Sequence, residues 1–430
     1  MTCLEAPISL LSPYSPADPK AAQQRLVTPA FPGIEAEFSL DKYLCREALL
    51  AATNTWRTKL PTGFPLRIDS PAVWSSSTLT VANVTYRVSQ ADASELKSAL
   101  EHFIESGLDL NRIAPDTFHL PSFGPKLRDM SRAIHSGTGV FIIKGLQPDK
   151  YDLRSNVIIF AGISSYIGDQ RGRQSAQNDV LSRCLGRLKT RANLLTTTRA
   201  PDVVVPNLDI KPFHNDHCDI LALYVLETAR AGGATRWASF AQMYNEMVRE
   251  KPQVLEVLAR NDWPHETPSR AVKHLPLMFI EGGNPFVSFT RFALTGLPSY
   301  PRGPNAPQLS PEQADALDTL QFVAGKYAVE VEQEKGDILL INNRAVLHAR
   351  DKIRDTSDDS RRHLMRLCLR DTEFGRPIPD DLKRRWGDIF DGNDCKNGKW
   401  MLAKEHDASF VSNSRFDSAF TNDETTGSHG

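Results

Sequence analysis

The chain has 430 residues, room for two or three ordinary domains or one large β-rich domain. Its composition is 40% apolar and 24% charged, and 51 Lys and Arg against 52 Asp and Glu leave a net charge of −1. That balance excludes a globally basic nucleic-acid binder and offers no general attraction to anionic membranes.

The longest apolar runs, 157–163 and 338–341, suit buried elements and are too short to span a bilayer. Six cysteines are scattered with no CxxC pair, which indicates neither a zinc knuckle nor a disulfide scaffold. The N-terminus has no charged segment leading into an apolar one, so a reduced, cytoplasmic setting is expected.

In chain order, residues 1–75 are rich in Pro, Ser and Ala and read as an irregular, extended arm. A strand is expected over 78–88, where β-branched residues alternate. Helices follow over 92–106, with Leu96, Leu100 and Phe103 on one stripe, and over 125–135. The strand 139–144 precedes a third helix over 149–167, and residues 168–212 read as a charged loop. A strand over 218–227 turns at Gly232-Gly233 into a second, 235–240, followed by helices over 242–249 and 252–260. Another strand is expected over 286–292. Ser310, Pro311 and Gln313 then mark a helix start, with the serine as cap, the proline at the first helical position and the glutamine in capping-box spacing. That helix reaches about residue 324, and strands at 328–332, 337–342 and 364–369 follow, the first two joined by a Lys335-Gly336 turn. Residues 76–392 are expected to form one domain with helical elaborations, and 393–430 lose periodicity and read as a flexible tail. Short strands flanked by helices, without regular alternation, predict a mainly β fold: a sandwich or barrel with helices packed outside.

The densest chemistry lies in Phe213-His214-Asn215-Asp216-His217-Cys218-Asp219. On extended backbone, His214 and Asp216 project to one side, and His217 and Asp219 to the other. Either pair sets an imidazole beside a carboxylate, as a borderline divalent metal requires. Two ligands do not hold a catalytic ion. His348, beyond the apolar strand 338–341, is the best third. Two His and one carboxylate that leave positions open make the facial triad of non-haem Fe(II) oxygenases. Fourteen residues further on, Arg362 stands beside Arg361, with Arg366 four residues later. Arg362 and Arg366 share a strand face, so both guanidinium groups could grip carboxylates in one pocket.

Three segments resemble the taurine dioxygenase and clavaminate-synthase-like family of Fe(II)/2-oxoglutarate-dependent oxygenases over about residues 130–375. They are Phe213 to Asp216, Gly232 to Trp237, and Gly336-Asp337 through Arg344 and His348 to Arg366. The resemblance implies a double-stranded β-helix (jelly-roll) core. It assigns His214, Asp216 and His348 to iron, Thr235 and Arg362 to 2-oxoglutarate, and Arg366 to an anionic group of the substrate. Two alternatives stay open: His217 and Asp219 in place of the first pair, and Arg361 in place of Arg362. Fe(II) is then the cofactor, with 2-oxoglutarate and O2 as cosubstrates. The implied reaction hydroxylates, desaturates or cyclises at an unactivated C–H bond of a small, carboxylate-bearing, amino-acid-like molecule, releasing succinate and CO2. Arg291 is a weaker second candidate for the substrate's anion, with a surface position at a strand edge as the plainer reading. Trp237 could wall the pocket or belong to the core. A zinc-type hydrolase with the same ligands, or a catalytically inactive binding module, is the alternative function.

Overall fold

The computed structural model describes residues 34–53, 60–174, 180–185, 211–266, 271–296, 301–353, 362–383, 389–390, 398 and 400. Helix α1 (Leu40–Thr53) comes first, then strand β1 (Thr85–Arg87), α2 (Gln90–Glu105), α3 (Phe123–Ser136), β2 (Val140–Lys144) and α4 (Leu153–Ile167). Strands β3 (Gln170–Gly172), β4 (Ser182–Leu185), β5 (Lys211–His214), β6 (Ile220–Glu227) and β7 (Thr235–Ser239) lead to α5 (Phe240–Glu250) and α6 (Pro252–Leu258). Four short strands follow: β8 (Trp263–Glu266), β9 (Val272–Leu275), β10 (Met278–Glu281) and β11 (Asn284–Val287). The chain continues through α7 (Phe292–Thr295), α8 (Pro311–Tyr327), β12 (Val329–Val331), β13 (Ile338–Asn342), β14 (Val346–Arg350), β15 (His363–Arg370) and α9 (Asp380–Leu382).

Two sheets form the body. The larger has the order β1-β2-β13-β6-β15-β3, with β4 also on β15, and the smaller has the order β12-β7-β14-β5. From β5 onward the chain passes back and forth between them: β6, β13 and β15 lie in the larger sheet, β5, β7, β12 and β14 in the smaller. This is the expected jelly-roll core. Gly232-Gly233 therefore does not close a hairpin, because β6 and β7 belong to different sheets. Nor does the Lys335-Gly336 turn join neighbours; it carries the chain from β12 across to β13. Gly336 has φ +92°, and a Cβ there would lie 1.9 Å from the Leu146 carbonyl oxygen, so this crossing needs glycine.

Side-chain alternation sorts the apolar residues into three layers. Ile142, Leu221, Val225, Leu339, Ile341 and Leu364 face inward from the larger sheet and meet Trp237, Val329, Val331 and Val346 from the smaller. Their neighbours, such as Ile143, Ala222, Leu340 and Leu367, face outward under α3 and α4. Ala238, Leu347 and Ala349 face outward under α5, α6 and α8. Both faces of β13 are thus covered, which is why all five of its residues are buried.

Helix starts follow local chemistry. The Ser310 hydroxyl accepts from the Gln313 backbone while the Gln313 side chain returns to the Ser310 backbone, the expected capping box. Ser89 and Asp92 make the same reciprocal pair at α2.

Several expectations change. Within 78–88 only β1 is strand, preceded by a 3-10 turn over Val81–Val84. The arm expected over 1–75 contains α1, whose Tyr43, Arg46 and Leu50, spaced i, i+3 and i+7, are buried; residues 1–33 and 54–59 lie outside the described ones. Most of the tail is likewise outside, but Trp400 donates to the Asn111 side chain at 2.5 Å and lies under the Arg171 guanidinium. Cys45 is disulfide-bonded, which the cysteine spacing did not indicate. No helix among the described residues is long and apolar enough to cross a membrane.

Where α1 meets α8, Asp315 is 3% exposed. Burial pushes its carboxyl up from the ordinary 3.8 to about 6, against the pull of Lys251 and Arg46. A carboxyl raised on folding favours the folded state while protonated, so its contribution is lost as pH rises from 3.8 through about 6. Asp315→Asn should gain stability relative to the parent across that window. Equal parent-minus-variant differences in urea unfolding on both sides of it would contradict the shift.

Candidate functional site

The smaller sheet sets the centre of the site. His348 on β14 pairs in register with His214 on β5 and with Trp237 on β7, so one row across three strands carries His214, His348 and Trp237. The two imidazole rings lie 4.3 Å apart between centroids. Asp216, just past the end of β5, brings Oδ2 to 4.0 Å from His348 Nε2. Among the described residues these three form the one group with ligand atoms within 4.8 Å of one another that could hold a metal ion. His348 therefore sits within a strand, not in a loop after one.

Donor chemistry supports a cation here. His214 donates Nδ1–H to the Pro212 carbonyl at 2.8 Å, which fixes the ring and leaves Nε2 as its lone-pair nitrogen. Burial, reinforced by His214, pushes His348 down to about 3, so its imidazole is neutral and able to coordinate. Burial also holds His214 below its ordinary range. For Asp216, burial alone would raise the carboxyl, but Arg366 and the two imidazoles outweigh it and bring it to about 2. Two neutral imidazoles and one carboxylate, gathered inside a barrel, fit a borderline divalent ion such as Fe(II).

The second His-x-Asp pair goes elsewhere. Asp219 Oδ1 is 2.9 Å from Arg344 Nη2, and Asp219 Oδ2 accepts from Arg370 Nε at 2.8 Å. This carboxylate is a buried structural anion between two guanidinium groups.

Thr235 is 5% exposed, opens β7 and shares the inward face with Trp237. Arg362 is 6% exposed and immediately precedes β15; by alternation it shares the inward face of Leu364 and Arg366. Arg361 lies outside the described residues. Arg366 pairs with Leu223 on β6 and reaches the carboxylate of the cluster, with Nη1 3.5 Å from Asp216 Oδ2. Trp237 is fully buried in the inner core. Arg291 is neither at a strand edge nor exposed: it is the cap residue before α7, 2% exposed, with Nη2 2.6 Å from Asp318 Oδ1 and Nε donating to the Glu35 carbonyl. Its guanidinium is turned to the buried Asp318 of α8, which corrects the expected strand-edge placement.

Two polar residues at the site were not anticipated. Gln174 accepts from Arg366 Nε at 2.6 Å and donates to the carbonyls of Val180 and Arg366, which orients the guanidinium. Its stretch reads as a charged loop, so only the fold brings it here. Arg350 is 6% exposed, two residues past His348 and in register with Thr235. Recognising β14 as a strand would have placed it on the inward face.

Comparison with known proteins gives concordant results. Residues 106–368 match the family model described as "Taurine catabolism dioxygenase TauD, TfdA family". The chain is 32% identical over 327 residues to the taurine hydroxylase-like protein SAT17 of Stachybotrys chartarum, covering 74% of this chain and 83% of that protein. It is 24% identical over 335 residues to the FR-33289 synthase of Streptomyces rubellomurinus, covering 74% and 95%. An asparagine oxygenase solved with Fe(II), 3-hydroxyasparagine and succinate superposes with a TM-score of 0.52 at 13% identity, over 66% of this chain and 93% of that one, a likeness of fold.

Proposed function

The chain belongs to the TauD, TfdA dioxygenase family and is a non-haem Fe(II)/2-oxoglutarate-dependent dioxygenase, and we propose that His214, Asp216 and His348 hold its iron. The observation that carries this reading is the convergence of those three side chains inside the barrel. Iron bound there supplies O2 activation coupled to the decarboxylation of 2-oxoglutarate to succinate. For hydroxylation the net reaction turns a substrate C–H bond, 2-oxoglutarate and O2 into C–OH, succinate and CO2, one oxygen atom going to the substrate and one to succinate; desaturation or ring closure would release that first atom as water.

The chain's own groups bind and aim the reactants. Thr235 and Arg362 hold the far carboxylate of 2-oxoglutarate, the arginine by a charge-assisted pair of hydrogen bonds. Arg366, held by Gln174, takes the carboxylate of a small, amino-acid-like substrate. The asparagine oxygenase solved with its hydroxylated amino acid supports that choice, since the same fold accommodates such a molecule beside iron. The apolar inner core around Trp237 and Leu364 keeps water from the reacting face. A cytoplasmic setting fits the sequence. A zinc hydrolase is not favoured, because it needs no paired Thr235 and Arg362. An inactive binding module is not favoured either, because all three ligand side chains are present.

Anaerobic Fe(II) followed by 2-oxoglutarate should produce a visible metal-to-ligand charge-transfer band; a folded protein without it would refute the reading. A screen of amino acids by succinate release then identifies the substrate. On that substrate, Arg366→Ala should raise KM by about 10–100-fold, the worth of a hydrogen bond to a charged group. An unchanged KM would remove the anionic-substrate assignment and leave the iron assignment intact.

A further inference from the structure

The metal ligands come from two separate stretches of chain, and two buried amides join those stretches. Asn215, between the two ligands, is 1% exposed. Its Nδ2 donates to the carbonyls of Val287 and of Asn343, the latter at 2.8 Å, and its Oδ1 accepts from the Phe289 backbone at 2.8 Å. Asn343, in the turn between β13 and β14, is also 1% exposed. Its Oδ1 accepts from the Asp216 backbone N–H at 3.1 Å, its Nδ2 donates to Cys218 Sγ at 3.1 Å, and its backbone N–H donates to the Asp219 carbonyl at 2.9 Å. The turn that Asn343 anchors leads within five residues to His348.

We propose that Asn215 and Asn343 are positioning residues of the metal centre: interlocked amides that fix His214 and Asp216 relative to the strand of His348 before any ion binds. The inference rests on the iron assignment and adds to it a cause for the site's shape. At each of these positions a donor and an acceptor are used at once, and among side chains of this size a primary amide supplies both in one plane. Aspartate would keep the acceptor and lose the donors, and leucine would lose both. The segment from Phe213 to Cys218 has only one strand of support, because β5 is an edge strand. Without the amides the segment would keep its pairing with β14, the Gln321 side chain on both backbone groups of Phe213 and the Asn215 N–H bond to the Phe289 carbonyl, but none of these holds Asp216 itself, and an incoming ion would have to order that residue at the expense of affinity.

The test compares Asn343→Leu with Asn156→Leu, both measured by Co(II) titration calorimetry on metal-free protein. Asn156 is an equally satisfied buried amide far along the chain: its Nδ2 donates to Pro148, Tyr151 and Asp152 carbonyls and its Oδ1 accepts from Tyr224. Both variants should lose thermal stability. Only Asn343→Leu should weaken Co(II) binding, by about 10–100-fold, as is usual when a group supporting metal ligands is removed. Asn343→Asp, which keeps the bond to Asp216 and loses the one to Cys218, serves if the leucine variant does not fold, and should lose affinity less. Unchanged Co(II) affinity in the folded Asn343 variant, or an equal loss in Asn156→Leu, overturns the proposal. His348→Ala separates the two readings: if it binds Co(II) as the parent does, the metal assignment itself has failed.

Discussion

His348→Ala should abolish the charge-transfer band of the Fe(II)/2-oxoglutarate complex and lower 2-oxoglutarate turnover by about three orders of magnitude, about 4 kcal/mol in barrier. His348 is the sole member of the proposed ligand cluster on β14, so its loss leaves His214 and Asp216, which come from one short stretch of chain. Two ligands cannot fix the geometry in which 2-oxoglutarate and O2 share the remaining positions. With the metal gone, the Asp216 carboxylate still has Arg366 at 3.5 Å, so its charge remains compensated and the fold should survive. The truncation also removes an imidazole packed between His214 and Trp237, so a modest drop in melting temperature is expected alongside the lost activity. His217→Ala is the matched control, because that ring lies outside the ligand cluster; its band should persist. A folded His348→Ala protein with parental 2-oxoglutarate consumption would remove this residue from the centre.

The cluster that could hold a metal ion was legible in the sequence because chemistry-bearing residues stood out against apolar strands: His214-x-Asp216 by spacing, His348 by its place after 338–341. The strands that carry them were less legible. In β14, the outward Leu347 and Ala349 are apolar because helices cover them, while the inward His348 and Arg350 are polar because they face the site. The usual alternation is inverted, and the pattern reads as loop. In β5, Pro212 argues against a strand, yet β5 is an edge strand, where a missing N–H is tolerated. The two His-x-Asp pairs could not be separated locally, since only the fold brings Arg344 and Arg370 onto Asp219. Arg291 was misplaced for the same reason: its partner Asp318 is 27 residues away in sequence and on another element.

That partner leads to the largest stability effect expected outside the site. Asp318→Ala should cost about 3–5 kcal/mol of unfolding free energy, the usual penalty for removing one member of a buried ion-pair group. Asp318 is fully buried on α8 and pairs with both Arg46 of α1 and Arg291 before α7, which are 1% and 2% exposed. Removing the carboxylate takes away the anion that bridges the two guanidinium groups and leaves Arg46 only the more distant pull of Asp315 and Glu35. Burial already pushes Arg291 down to about 9, and Arg46 adds to that shift, so the two cations repel where they stand. The damage should not stay local. Arg291 follows closely on Phe289, whose backbone N–H is held by Asn215 between the metal ligands, so a shifted Arg291 loosens the segment that Asn215 grips. Co(II) affinity should therefore fall together with stability in Asp318→Ala. Replacing all three residues at once, Arg46→Met, Asp318→Leu and Arg291→Met, removes the charges in balance and should recover most of the lost stability. Urea unfolding of the single and triple variants decides the matter: a single variant within about 1 kcal/mol of the parent would mean that the cluster is hydrated rather than dry.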